Sequence, residues 1–600
     1  MRPLEDRHHI YFTDFTSRLT GLGFRSVGFV KVGTNHYNVH EFYGNPSKGK
    51  TYVTYQFDMD VNEKIYGLGE RSTPFIKNGQ AVEIWNEDGG ASQNCRIRIS
   101  RFICPKDIEK YTMLTGRPPL PPPYSFGLWL STSFTTSYDQ STVSSFLAGM
   151  KERDIKVSVF HYDCFWMKQF QWCDLEFDKD FFPDPEADLK SLHHQGIKVC
   201  VWINPYIAQE SKLFKEGITN GYFITRMDGS VWQLDFWQAG QAFVDFTNPN
   251  AVAWYQSKLA ALIDIGVDTF KTVFGERIPY GDAVHFDRSD PERMHNYYTH
   301  LYNQVVYEIL AKKLGKNSFL HAFPCPLGGD PESSFGAMAE SLRGGLSLAL
   351  AGFGFWAHDI GGFEGRSPDP AVYKRWIQFG LLSSHSRLHG SGNYRVPWMV
   401  DPSGEAEKVL AKFVKFKHSL APYIISQALV AHRTRVSMLR ALFVEVPDDP
   451  VSWFIDTQYF LGSEILVAPV FDAKKVTYYV PAGKWYGLID SKFREGGKYI
   501  TETHDYFSLP FLLRPGGVVV FGSSKVTIKI TCPEPIVQHG DVDVEITNGN
   551  VKEEWNIKIV GRHLDVMGSV DGNNVVVVAD AEGLNVRIGA SAKKIRFRAV

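Results

Sequence analysis

Between residues 125 and 384 short apolar, strand-like runs alternate with amphipathic stretches of helical spacing, and this alternation restricts the fold more than any other feature of the chain. Strand-like runs cover 125–130, 157–162, 199–203, 267–273, 318–322, 351–356 and 379–384. Helical stretches cover 140–153, 184–195, 250–265, 290–314, 337–346 and 370–376. Such alternation predicts parallel βαβ units, and the number of units favours a closed (β/α)₈ barrel over an open sheet. A hairpin-like stretch, 222–244, interrupts it after the third strand.

The flanks read differently. Strand-like runs at 51–59 and 81–85, with turns at Asn78-Gly79 and Gly89-Gly90, precede a proline cluster at 118–123 that marks a domain boundary. A helix over 405–431 closes the alternating region. Beyond it, β-rich runs return at 461–471 and 476–480, followed by a valine-rich stretch from 526 to 600. The expected organisation is a multidomain α/β chain: an N-terminal β-sandwich over 1–122, a barrel over 123–436 with an insert at 207–248, a β-sandwich over 437–522 and a distal β domain over 523–600.

Composition narrows the function classes. The 64 basic and 66 acidic residues leave a net charge of −2, which recruits neither nucleic acid nor an anionic membrane. No stretch approaches the ~20 apolar residues of a membrane span. The polar start lacks a secretory apolar segment, and the seven scattered cysteines form no CxxC pair. A cytoplasmic protein without metal or cofactor is expected. Homo-oligomerisation is compatible with the sequence but not specified by it.

Functional residues of a barrel lie at the C-terminal ends of its strands. Here those ends carry His161-Tyr162-Asp163-Cys164-Phe165-Trp166, Trp202 to Tyr206, Lys271-Thr272-Val273-Phe274-Gly275-Glu276-Arg277, Gly328-Gly329-Asp330, Trp356 to Asp359, and His385 with His389. Carboxylates accept hydrogen bonds from sugar hydroxyls, and aromatic rings pack against sugar C–H faces. Taken singly, each motif has a structural reading: Gly-Gly-Asp is a common turn, and Asp163 could cap a helix. Their recurrence on successive strand ends favours sugar recognition.

Residues 160–174 (FHYDCFWMKQFQWCD), 202–206 (WINPY), 270–279 (FKTVFGERIP), 340–348 (ESLRGGLSL), 352–363 (GFGFWAHDIGGF), 384–391 (SHSRLHGS) and 394–398 (YRVPW) resemble glycoside hydrolase family 31, in particular its α-xylosidase branch. The resemblance implies a (β/α)₈ barrel flanked by an N-terminal and two C-terminal β-sandwich domains. It implies a metal-free retaining double displacement on α-xyloside oligosaccharides. By the same resemblance Asp330 is the general acid/base, Glu276 supports the nucleophile loop, and Asp88, Phe134, Asp163, Trp166, Trp202, Lys271, Trp356, Asp359 and His389 bind sugar. Cys164 and Phe165 exclude a hydroxymethyl group, which separates xylosides from glucosides; an α-glucosidase is the alternative if they admit it.

The chain departs from the family pattern at its centre. The family reads Lys-Thr-Asp-Phe-Gly-Glu where this chain has Val273 in the aspartate's place. Valine has no lone pair to attack the anomeric carbon, so several orders of magnitude in rate are expected to be lost. Asp268 lies at the start of the same strand, too far away to substitute. An arginine-bearing segment after the fifth strand and part of the N-terminal domain between Cys95 and Ile108 also look missing. These losses favour a sugar-binding pseudoenzyme or a decayed reading frame over a deliberate single substitution.

Overall fold

The computed structural model describes residues 24–31, 51–57, 119–135, 138–321, 328–365 and 367–522, the strands between 526 and 599, and residues 66, 75, 76, 108, 109, 112 and 113. The chain separates into two compact units. In the first, β1 (Phe24–Lys31) and β2 (Thr51–Phe57) pair antiparallel, with Lys31 opposite Thr51. The expected strand at 81–85 and the shortened stretch after Cys95 fall outside the described residues.

The second unit holds the barrel, whose elements are β3 (Leu128–Ser131), α1 (Gln140–Glu152), β4 (Val159–Tyr162), α2 (Pro185–His194), β5 (Lys198–Ile203), α3 (Pro249–Asp264), β6 (Thr269–Thr272), α4 (Pro291–Leu314), β7 (Leu320–His321), α5 (Phe335–Leu350), β8 (Asp359–Ile360), α6 (Pro370–Leu381) and β9 (Ser386–Leu388). Four helices begin in one way. Asp184-Pro185, Asn248-Pro249, Asp290-Pro291 and Asp369-Pro370 each place a side-chain cap before a proline in the first turn. The Asx oxygen satisfies a free helix N–H, and proline lacks the donor that would otherwise go unpaired. The strands between them are almost entirely buried runs such as KVCVWI, as expected of a parallel sheet covered by helices.

Among the described residues the parallel sheet has seven strands, in the order β7-β6-β5-β4-β3-β9-β8. Beside β8, Gly328 N–H bonds Ala357 O at 2.8 Å, and the N–H groups of Phe363 and Glu364 bond Pro331 O at 2.8 and 3.0 Å. The segment carrying Asp330 therefore lies along that edge of the sheet.

Two expected strands move. The run at 351–356 follows an α5 that extends to Leu350, and the ladder forms later, at β8. The run at 379–384 begins inside α6, and the strand is β9. α6 is buried on nearly all sides, and its Arg375 bonds the carbonyls of Ala473, His504 and Asp505. The short apolar run FGLL at the C-terminal end of α6 reads equally as helix or strand, because four residues are too few to show a period. The insert after β5 contains a helix, Lys212–Asn220, and a three-stranded sheet of Tyr206–Ile207, Gln233–Leu234 and Gln241–Phe243.

The expected helix over 405–431 is two helices, α7 (Glu405–Ser419) and α8 (Ala421–Thr434), with Pro422 starting the second. Beyond them lie a six-stranded and a two-stranded antiparallel sheet, then sheets of five and four strands. The five-stranded sheet begins with Val518–Gly522 paired to Val526–Thr531. No helix among the described residues is long and apolar enough to cross a membrane.

Candidate active site

Side chains in a strand alternate between faces, so alternate residues of each barrel strand enter the interior. On β6, Thr272 points outward and donates to Asn303 Oδ1 on α4 at 2.7 Å. Lys271 points inward, and Val273, two positions on, continues the same face. Its backbone N–H extends the ladder to Ile203 O at 2.9 Å, and its side chain is half-buried. Asp268 sits at the opposite end of the strand, held by His193, Lys198 and the Val199 N–H at 2.7, 2.8 and 2.9 Å.

The registers of β3, β4 and β9 set Ser131 level with His161 and Leu130 level with Leu388, which brings His389 alongside Ser131. The Ser131 hydroxyl lies 2.8 Å from His161 Nδ1 and 2.8 Å from His389 Nδ1, and it accepts the Ser133 N–H at 3.0 Å. Lys271 Nζ approaches His389 Nε2 at 3.5 Å. An ammonium can only donate, so His389 accepts at Nε2 and carries its proton on Nδ1, which faces Ser131. Ser131 then gives its one proton to His161 Nδ1, and the proton of His161 sits on Nε2, towards Asp163. Burial, together with the charges of Arg387 and Lys271, holds His389 well below the usual imidazole range, which keeps this tautomer neutral. Burial and Arg387 also lower the Lys271 ammonium, against the pull of Asp163.

The ring closes on Asp163, but loosely. Its Oδ2 is 3.6 Å from Lys271 Nζ, 3.7 Å from His389 Nε2 and 3.9 Å from His161 Nε2. This oxygen is buried and has no hydrogen-bond partner among the described residues. A buried carboxylate oxygen in that state, ringed by nitrogen groups just beyond bonding range, suits a ligand hydroxyl. His161, Asp163 and His389 also offer three ligand atoms within 4.8 Å of one another, the donor set of a divalent cation. The Lys271 ammonium stands at 3.5–3.6 Å from two of them, so a dication there would face a fixed cation.

Asp330 stands exposed beside β8. The surrounding protein, and next the nearby Asp359, push its pKa up to about 6. Asp359 is itself held by Arg387, whose Nε donates to Oδ1 at 3.0 Å. Asp163, Lys271, Asp359, His389 and Asp330 thus share one electrostatic environment. Phe134 joins them from the first strand end: its N–H bonds Gly390 O at 2.8 Å, and its ring lies 5.9 Å from Phe165 and 5.8 Å from Trp237. Trp202 faces Trp237 at 6.1 Å. Cys164 is fully buried beside Asp163, and its thiol pKa is pushed up by burial first and that carboxylate second. Asp88 lies outside the described residues.

Three expected positions have a different setting. Trp166 is fully buried, and its indole N–H bonds Trp202 O at 2.9 Å, so it supports the wall from behind. Trp356 is fully buried against α5, where a Cβ on Gly345 would come within 1.9 Å of its ring; it faces the helix layer rather than the barrel mouth. Glu276 is exposed, and the loop it was expected to hold is fixed by Tyr206. The Tyr206 hydroxyl accepts from the N–H groups of Gly275 and Arg277 at 2.9 and 3.2 Å, and its ring stacks on Phe274 at 5.5 Å. This turn needs φ of +105° at Gly275, a conformation that favours glycine. Arg277 lies over the Phe236 ring at 4.6 Å, and among the described residues Glu276 makes no ion pair.

Ser131, Arg387, Trp237 and Trp172, whose ring lies 5.0 Å from those of Phe165 and Trp237, were not singled out from the sequence as site residues, and His161 was read only as part of its strand end. His161 and Arg387 had a usable signal, since each sits two positions before a chosen residue on its strand. Trp237 lies in the insert and had none.

Three family models match the chain: the glycosyl hydrolase family 31 TIM-barrel domain over residues 118–427, the family 31 C-terminal domain over 435–519, and the family 31 N-terminal galactose mutarotase-like domain over 14–95. An α-xylosidase of Emericella nidulans is 45% identical over 647 residues, covering 95% of this chain and 81% of that protein. The α-xylosidase XylQ of Lactiplantibacillus pentosus is 45% identical over 580 residues, covering 85% and 74%. A mutant of the Flavobacterium johnsoniae GH31 dextranase, complexed with isomaltotriose, superposes with a TM-score of 0.80 at 20% identity over 91% of this chain and 85% of that one, which speaks to the fold alone. The 647-residue alignment is longer than the 600-residue chain it draws on, so the Emericella nidulans protein has internal segments without a counterpart here.

Proposed function

The chain belongs to glycosyl hydrolase family 31, and on that premise we propose an α-xylosidase-type site that recognises a terminal α-xylosyl residue but lacks the group that attacks it. The observation that carries the reading is the position of Val273. It continues the inner face of Lys271 at the end of β6, where an aspartate would point into the pocket.

In a retaining mechanism one carboxyl protonates the leaving oxygen, and a second, about 5 Å away, attacks the anomeric carbon. Asp330 fills the first role; with a pKa pushed up to about 6 it stays partly protonated near neutrality. Lys271, His389 and Asp163 hold the sugar hydroxyls. Phe134, Phe165 and Trp202 wall the ring, and Cys164 with Phe165 leaves a hydroxymethyl neither room nor partner. Without a nucleophile the covalent intermediate cannot form, and turnover falls by several orders of magnitude.

Hydrolysis of p-nitrophenyl α-xyloside by the chain and by Val273→Asp tests this. Val273→Asp should be faster by about a thousandfold or more. Turnover by the unaltered chain at the rate of Val273→Asp would refute the assignment of position 273. A sugar-binding protein without turnover is the second reading, favoured by the unpartnered Asp163 Oδ2. Calorimetric titration with xylose decides it, and no heat at millimolar sugar would sink it.

A further inference from the structure

In a retaining reaction only the first half needs a carboxylate that attacks. The second half starts from a β-linked xylosyl ester. The acid/base residue takes a proton from an incoming hydroxyl, and that oxygen displaces the ester from the opposite face. Val273 removes the first half and leaves the groups of the second half in place. Asp330 stands on its strip beside β8, and Asp163, Lys271 and His389 form the ring that would hold the xylosyl hydroxyls.

The wall at position 273 suits a reaction that begins halfway. The γ carbons of valine end where an aspartate has its carboxyl carbon, so the place of the attacking oxygen is left to an atom of about that size. Val273 is half-buried, with its N–H tied to Ile203 O at 2.9 Å; the neighbouring Phe274 lies 5.9 Å from Trp202, 5.2 Å from Trp237 and 5.5 Å from Tyr206. The carboxylates flanking position 273 in sequence are engaged elsewhere. Asp268 is held at the far end of the strand by His193 and Lys198, and Glu276 lines a groove with Trp232 and Tyr280 beyond the turn. Among the described residues, water on this face would therefore meet methyl groups and aromatic rings rather than a base, and an α-xyloside once made is not cleaved from that side.

We propose that the chain is a xylosyl transferase: it takes an activated β-xylosyl donor whose departing group is a small anion and joins the xylosyl group to an acceptor hydroxyl as an α-xyloside. The inference rests on the xylosyl-site reading above and adds a reaction to it. With β-xylosyl fluoride as donor, the fluorine lies towards Val273. The Asp330 carboxylate takes the acceptor's proton, and the acceptor oxygen bonds the anomeric carbon from the α face. The C–F bond breaks with its electron pair on fluoride, and Asp330 passes the proton to water. Donor and acceptor thus become α-xyloside, fluoride and a proton. Asp330 acts here as a base, so transfer strengthens as pH rises through its pKa of about 6, where hydrolysis by Val273→Asp weakens. Besides burial, the charges that act on it are those of Asp359, Lys271, Glu364 and Arg387.

Incubation of the full chain with β-xylosyl fluoride and p-nitrophenyl β-glucoside tests this, with fluoride followed at an electrode and the product's linkage read by NMR. Fluoride release by the unaltered chain should exceed that by Asp330→Asn about a hundredfold, the worth of a general base. It should also grow from about pH 5 to 7, a readout that does not depend on the variant's folding. An α-linked product should accumulate, whereas Val273→Asp should cleave it. Release no faster than that of Asp330→Asn, release that falls as pH rises, or a β-linked product overturns the transfer; if Val273→Asp still hydrolyses p-nitrophenyl α-xyloside, the xylosyl-site reading stands. A Val273→Asp that hydrolyses nothing, beside an unaltered chain that binds no xylose, overturns both.

Discussion

Replacing Ser131 by alanine removes one oxygen from the centre of the pocket and breaks three hydrogen bonds together. The Ser131 side chain is 1% exposed, and its hydroxyl serves His389 Nδ1, His161 Nδ1 and the Ser133 N–H at 2.8, 2.8 and 3.0 Å. A buried polar group left without a partner costs about 1–3 kcal/mol. One imidazole can recover part of this by changing tautomer, but the Ser133 N–H and the other ring cannot, so a loss of about 3 kcal/mol is expected from the barrel's thermal transition. His389 would no longer be fixed as an acceptor towards Lys271, and xylose affinity should fall about tenfold, the equivalent of one misdirected hydrogen bond. Differential scanning calorimetry and xylose titration measure the two effects, and Ser131→Thr, which keeps the hydroxyl, should recover affinity. If Ser131→Ala melts with the unaltered chain and binds xylose as tightly, the tautomer chain deduced from the ring is wrong.

Two further outcomes follow from named groups. Because folding raises the Asp330 pKa from 3.8 to about 6, the folded state holds the extra proton between those values, and stability falls as pH rises through that window. Asp330→Asn should flatten that decline in pH-dependent melting. In Val273→Asp it should also slow isoprimeverose far more than p-nitrophenyl α-xyloside, whose leaving group needs little protonation. Phe165→Ala should move the ratio of glucose to xylose affinity towards glucose by about tenfold or more, read by paired titrations; an unchanged ratio would place the hydroxymethyl barrier elsewhere.

Much of this was legible in the sequence because its signals are local. An Asx-Pro pair announces a helix start by its own chemistry, and period-two alternation from Lys271 to Val273 follows from strand geometry alone. The two displaced strands failed for a local reason too: short apolar runs such as FGLL at a helix end, or 351–356 just after one, are too short to show which period they follow. Ser131 failed for a long-range one. A serine at a strand end is unremarkable until the register of three strands sets it between His161 and His389, the latter 258 positions away. Trp166 and Trp356 were expected at the site from the family resemblance, yet Trp166 is turned to the Trp202 carbonyl and Trp356 to Gly345 of α5. Trp237 depends on how the insert folds back, which short, irregular pairing does not encode locally.

The edge segment that bears Asp330 has a mechanical consequence. A retaining pair must keep its carboxyls about 5 Å apart through two steps, and displacements of ~1 Å can cost a hundredfold in rate. One member of the pair would sit just past β6, where the described backbone bond of position 273 runs to Ile203 on one neighbouring strand. The other rides on a strip whose described backbone bonds lead to Ala357, Phe363 and Glu364. The two therefore stand on separate backbone segments whose spacing must be kept. On the proposed reading, a carboxylate supplied at position 273 is productive only if these two segments hold it about 5 Å from Asp330.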